Sequence, residues 1–263
     1  MNELSLSRWI RRAPFARALG AAALLLALPA AAAEITLLSA GALTQPLSVL
    51  IPQFERSGGH KITVLYGTAG AIRAMLEKGE AADLVILPAE GLVEAEKHGW
   101  VHPGTRVDLA AVGIGIAVKK GTALPDISTP EALKRVLLEA KAVAYVDPTR
   151  GTSGRHFDTV VLPSLGIAGE VRAKAKLQTE GSAAEFVRRG EADVAVQQVS
   201  ELLPVEGVTV VGMLPESLQK ITVYSAAIAT QATASEPVRQ FVEYLSAPAS
   251  QAVFKAKGMD AKF

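Results

Sequence analysis

The stretch from Asp147 to Asp158 reads DPTRGTSGRHFD and follows the apolar run KAVAYV. Arginine, histidine, serine, threonine and glycine crowd together between Thr149 and His156. This composition suits gripping an anion. Thr152 and Ser153 offer hydroxyls, and amides at the start of a helix lack intrahelical acceptors. A guanidinium fork at Arg150 or Arg155 can pair with a planar carboxylate, and His156 can add a donor. Three other segments have the same character. SAGALT supplies Ser39, Gly41, Ala42 and Thr44, small residues that let backbone approach a ligand. YGTAGAIR supplies Thr68, Ala69 and Gly70 at a helix start, with Arg73 one turn on. The last pair is LQTEGSAA, with Thr179, Gly181 and Ser182, and VQQVSE, with Gln197 and Gln198. Strand alternation sends those two glutamines to opposite faces, so one of them is expected to meet ligand. Thr68 and Arg150 are the leading contacts.

Signals for catalysis are missing. There is no Gly-x-Ser-x-Gly elbow, no cysteine and no His-x-x-x-His pair, and the four histidines are scattered. Neither the Gly-x-Gly-x-x-Gly nor the Gly-Lys-Ser/Thr nucleotide pattern occurs. Asp83, Glu90 and Asp193 form no motif, and Asp83 and Asp193 read as loop ties. A binding protein without catalysis, cofactor or metal is expected.

The loops must be carried by something rigid. Apolar runs alternate with helical patterns: EITLLSA, then QPLSVLIPQFERSG with Pro52 inside it; KITVLYG, then TAGAIRAMLEKGEA; ADLVILP, then AEGLVEAEKHGW. Strands alternating with helices imply mainly parallel sheets covered on both faces, with ligands at the strand ends. LAAVGIGIAVKKG reads as a strand crossing between two lobes. STPEALKRVLLEA is the clearest helix, capped by Ser128 or Thr129. SGRHFDTVVLPSLG reads as a helix, and SAAEFVRRGEA has the capping-box spacing from Ser182 to Glu185. LEKGEAADLVIL and VRRGEADVAVQQ share one order, helix then Gly-Glu-Ala then strand, as two similar lobes would.

The first 33 residues read as a signal peptide: a basic RWIRRAPFAR, an apolar ALGAAALLLALPA and a small-residue cleavage site. Their removal takes four of the 27 Lys and Arg and one of the 26 Asp and Glu, leaving 23 against 25, a net charge of −2. No basic field remains to track a nucleic acid, and aromatics at 5% are too sparse for a stacking platform. Export without cysteine leaves stability to the core of a chain whose full sequence is 49% hydrophobic. A soluble periplasmic monomer is expected.

ITLLSAGALT, YGTAGAIRAMLEKGEAADLVIL, VAYVDPTRGTSG, RRGEADVAVQQVSE and the closing VRQFVEYLSAPASQAVFKAKGM together resemble the molybdate-binding proteins of ABC importers, type II periplasmic solute-binding proteins. The resemblance covers nearly all of the chain after the signal segment. It implies two α/β lobes around a hinged cleft, residues 34–113 with 205–263 and residues 114–204. It implies a membrane permease and a cytoplasmic ATPase as partners. Three positions depart from the family pattern: Ala42 and Ala69 stand where oxyanion-binding serines are usual, and Gln198 where a tyrosine is. Lost hydroxyls and added arginines point to a small di- or tricarboxylate. Molybdate, tungstate or another tetrahedral oxyanion is the alternative, as is a sensor or scavenging module working without a permease.

Overall fold

The computed structural model describes residues 32–58, 60–233 and 235–260; the signal segment lies outside them. Two five-stranded mixed sheets organise this part. The first holds β1 (Glu34–Ala40), β2 (Lys61–Gly67), β3 (Leu84–Pro88), β4 (Val107–Val112) and β10 (Thr222–Ile228), in the order β2-β1-β3-β10-β4. The second holds β5 (Ile114–Lys119), β6 (Val143–Val146), β7 (Ala175–Gln178), β8 (Val194–Gln198) and β9 (Val208–Met213), in the order β7-β6-β8-β5-β9. In each sheet four strands share a direction and one, β10 or β5, runs against them. The two-lobed, mainly parallel α/β fold is therefore as expected.

The helices of the first lobe are α1 (Thr44–Gly58), α2 (Ala69–Glu77), α3 (Ala89–Lys97), α10 (Ser235–Ser246) and α11 (Pro248–Ala256). The others are α4 (Pro130–Glu139), α5 (Thr152–His156), α6 (Leu162–Leu165), α7 (Ala168–Arg172), α8 (Ala184–Arg188) and α9 (Val199–Leu202). On α1 the buried Leu47, Leu50, Ile51 and Phe54 share one face, each worth about 2 kcal/mol of burial. Pro52 sits on the opposite, exposed side of α1, and so does Ser48 one turn earlier. Water can therefore reach the carbonyl that Pro52 leaves without a donor. In α4 the Thr129 hydroxyl accepts from the Ala132 amide at 3.1 Å. The helix expected after the DPTRGTSG turn runs as α5, a wide π-turn over Phe157–Val161, and α6. The extra residue in that turn keeps Phe157, Val161 and Leu162 all inside.

The Gly-Glu-Ala repeat proves to be structural. Gly79 closes α2 and Gly190 closes α8, both at φ +76°. This left-handed stop costs glycine nothing and turns the chain back into the next strand. Asp83 and Asp193 follow as loop ties, accepting from the amides of Thr36 and Lys141 respectively.

The chain crosses between lobes twice. The first crossing is at Gly113, between β4 and β5, inside the run expected to do so. The return runs from Leu214 to Ile221, later than expected. β9 pairs with β5 in the second sheet, so a boundary at residue 205 misplaces it. Its apolar pattern alone could not say which sheet it would join. Gln219 ties the crossings together: its Oε1 accepts from the Ile114 amide at 2.8 Å and its Nε2 donates to the Ile114 carbonyl at 2.9 Å. Among the described residues no helix is long and apolar enough to cross a membrane.

Candidate functional site

Strands β1, β2, β6 and β8 end toward one another, and each leads into a helix start. Between them lies a cavity of about 410 Å³. The lobes meet over it at a backbone hydrogen bond, Gly70 N–H to the Arg150 carbonyl at 3.0 Å. A methyl group on Gly70 would lie 3.0 Å from that oxygen and 3.3 Å from the Arg150 Cα. Only glycine allows this approach without movement. At the floor, the Tyr224 hydroxyl of β10 donates to Gln198 Oε1 of β8 at 2.7 Å, a second bond between the two sheets.

Seven residues expected at the ligand line this cavity: Gly41, Ala42, Thr68, Ala69, Thr152, Ser153 and Gln198. Thr68 caps α2, its Oγ1 accepting from the Ala71 amide at 3.1 Å. Its hydroxyl hydrogen stays available for a ligand. Helix geometry likewise leaves the first-turn amides of Ala69, Thr152 and Ser153 without intrahelical acceptors.

The arginines fall elsewhere. Gly70, Arg73, Arg150 and Arg155 line a neighbouring cavity of about 340 Å³, on the other side of the Gly70–Arg150 contact. Arg73 pairs with Glu77 one turn along α2, Nε to Oε1 at 2.9 Å. Arg150 Nε donates to the Thr179 carbonyl at 3.1 Å, and Arg155 Nε to the Pro148 carbonyl at 3.3 Å. His156 accompanies them, its Nε2 at 2.9 Å from the Leu218 carbonyl. The backbone of Arg150 faces the seam and its side chain lies outside the cavity. Two further expectations miss the cavity wall. Ser39 is buried within β1 and donates to the Ala40 carbonyl, and Thr179 presents its carbonyl to Arg150. The capping box at Ser182 does not form either: its hydroxyl accepts from Ala184, and Glu185 pairs with Arg188.

Both glutamines face the cavity, because β8 ends there and α9 begins. Gln197 is spent on the loop before α8, accepting from the Ala183 amide at 2.6 Å and donating to the Gly181 carbonyl at 3.2 Å. Gln198 is held by Tyr224, and its Nε2 is buried without a partner; so is the Ser200 hydroxyl beside it. Buried polar groups rarely stay unpaired, so these two are unmet polar atoms on residues of the cavity wall.

The residues that sequence reasoning missed are Ser200, Tyr224 and Glu201. Glu201 lies on α9 and opens onto the cavity, with Oε1 3.4 Å from the point where a Cβ on Gly41 would stand. Its carboxyl thus spans from the second lobe to the first loop of the first. Part of its surface faces the cavity, yet protein surrounds it. Burial pushes its carboxyl up to about 7, with the Gln197 side chain pulling it partly back. Burial raises Tyr66 to about 12 and Tyr224 further still, so both remain hydroxyl donors. No lysine, arginine or histidine lines the cavity.

This geometry has a family. Residues 35–260 match the bacterial extracellular solute-binding proteins. The chain belongs to that family. Among relatives of this solute-binding protein is an aconitate isomerase from a Pseudomonas species, 32% identical over 86% of this chain and 87% of that one. A molybdate-binding protein from Azotobacter vinelandii is 28% identical over 92% of this chain and 94% of its own length. The solved periplasmic molybdate-binding protein of Azotobacter vinelandii superposes with a TM-score of 0.73 at 19% identity, covering 86% of this chain and 98% of that one. The molybdate-binding resemblance stands. The expectation of a protein without catalysis does not: a relative named as an isomerase matches most of this solute-binding protein's length. Proton transfer needs neither a nucleophile motif nor a metal motif.

Proposed function

We propose that this protein takes a small unsaturated tricarboxylate of the aconitate type into the interlobe cavity and interconverts its geometric isomers. The observation that carries the reading is the cavity wall. Its polar groups are hydroxyls, amides, the Glu201 carboxyl with Glu180 at the rim, and two buried unpartnered polar groups, with no fixed cation. Its volume of about 410 Å³ falls in the range that holds small molecules, about 300–1,000 Å³. Several carboxylates can be met there by converging helix starts and by Thr68, Ser153, Gln198 and Ser200. Ala42 and Ala69 add methyl groups to the wall, which suits a carbon skeleton better than a bare oxyanion. The name of the isomerase relative supports the reaction.

The test is direct. Purified protein is incubated with cis- or trans-aconitate, and the methylene and vinyl signals are followed by proton NMR. Protein-dependent interconversion is expected. Tight binding without interconversion favours a second reading, that of a periplasmic subunit delivering the same anion to an ABC permease. The family match and the molybdate-binding relatives support that alternative. Silence toward aconitate together with tight molybdate binding rejects both carboxylate readings.

A further inference from the structure

We infer that Glu201 is the acid–base residue of the cavity, taking a proton from the methylene carbon of the bound tricarboxylate and returning it to the carbon at the other end of the double bond. This rests on the isomerase reading and names the group that performs it. Glu201 is not among the residues that sequence or resemblance singled out.

Three features single out Glu201, and the first is its position. The carboxyl reaches from α9 to the Gly41 loop across the floor of the closed cavity. A guest held by the helix starts shares the cavity with this carboxyl.

The second is elimination. Besides Glu201, the titratable side chains of the wall are Glu180, Tyr66 and Tyr224. Glu180 belongs to the rim, its side chain 80% exposed and 3.8 Å from Arg150. Tyr66 from β2 and Tyr224 from β10 hold their protons firmly. Gln197 and Gln198 from β8 carry none. Glu201 alone can both accept and release a proton near neutrality, as a proton shuttle must. No positive side chain in the wall would hold it permanently ionised.

The third is chemical balance. The carbon skeleton, propene-1,2,3-tricarboxylate, is symmetric about its middle carbon. Glu201 carboxylate removes a methylene proton, and the C–H electrons spread over three carbons and the conjugated carboxylates. The open donors Gln198 Nε2 and Ser200 Oγ, with first-turn amides, are placed to meet the charge that develops. The protonated Glu201 then delivers its proton to the former vinyl carbon. One C–H bond breaks, one forms, and the double bond moves by one position. The constitution is unchanged. The geometry of the new double bond is set by how the former methylene arm was held at the moment of proton removal. No oxidant, reductant or co-reactant enters.

Glu201→Gln and Glu201→Asp test the assignment. Three quantities are read: turnover, trans-aconitate affinity by calorimetry, and exchange of the methylene hydrogens in D2O by NMR. Glu201→Gln should lower turnover and exchange about a thousandfold, with affinity within about tenfold of the parent. Glu201→Asp, one methylene shorter but still an acid, should recover part of both. The parent's rise in rate with pH through neutrality should disappear in Glu201→Gln. Parent-like turnover and pH profile in Glu201→Gln overturn the assignment and leave the isomerase reading standing. Glu201-dependent exchange without isomerisation keeps the proton transfer and refutes the isomerase reading. Binding by the parent with neither exchange nor isomerisation overturns both.

Discussion

The electrostatics of the cavity can be tested without any substrate, by asking what Glu201 costs the fold. Its carboxyl ordinarily titrates at 4.5 and in the folded protein at about 7, chiefly because burial disfavours the charged form. Below pH 4.5 the group is protonated in folded and unfolded chains alike and contributes no difference. Between 4.5 and 7 the folded protein keeps a proton that the unfolded chain has released, so stability falls as pH rises. Above 7 the charge is buried and the loss is complete. At about 1.4 kcal/mol per tenfold change in proton affinity, the penalty is up to about 3 kcal/mol, less where water enters the cavity. A glutamine carries no such charge. Urea unfolding of parent and Glu201→Gln, followed by far-ultraviolet circular dichroism at pH 5 and pH 8, isolates this contribution. The variant's advantage should be small at pH 5 and grow by about 2–3 kcal/mol at pH 8. An identical difference at both pH values would refute the reasoning, because it would place the carboxyl in water.

Three other changes probe closure and contact. Gly70→Ala puts a methyl group 3.0 Å from the Arg150 carbonyl; it should hold the lobes apart and weaken ligand affinity about tenfold, seen by calorimetry and by a larger radius of gyration in X-ray scattering. Arg150→Ala should leave affinity within about twofold, because only the Arg150 backbone touches the seam, whereas Thr68→Ala should weaken binding and lower stability by about 1 kcal/mol through the lost cap; equal effects on affinity would overturn the placement of the arginine side chain. Tyr224→Phe leaves Gln198 Oε1 unpaired, and should cost about 1–3 kcal/mol of stability in chemical denaturation while freeing the amide that Tyr224 orients.

Much of the fold was legible because its signals are local. The Gly-Glu-Ala repeats fix helix stops at Gly79 and Gly190 whatever surrounds them. Strands buried on both faces, such as β3 and β6, read as continuous apolar runs. The return crossing was not legible. β9 is half-buried along most of its length, and its sequence would suit an edge of either sheet. Its place follows from pairing with β5, which is a tertiary choice.

The site was half legible, for a related reason. Sequence reasoning can put a residue on a loop at a strand end; it cannot tell which side of a closing seam the side chain will take. Arg150 sits on the expected loop, Arg73 in α2 and Arg155 in α5, and all three line the neighbouring cavity on the other side of the Gly70–Arg150 backbone contact. Glu201 hides in VSELL, where a lone acid in a short helix reads as a solvated surface residue. Its carboxyl lies beside the Gly41 loop, a contact between segments far apart in the chain. The two misreadings are linked. A guanidinium inside the cavity would hold a neighbouring carboxyl ionised and lower its affinity for protons. On the carboxylate proposal, excluding the arginines leaves the charge of the guest to amides and hydroxyls, which add no cation beside Glu201. On the isomerase proposal, a wall built this way leaves Glu201 able to hold and to release a proton near neutrality, as an acid–base residue must.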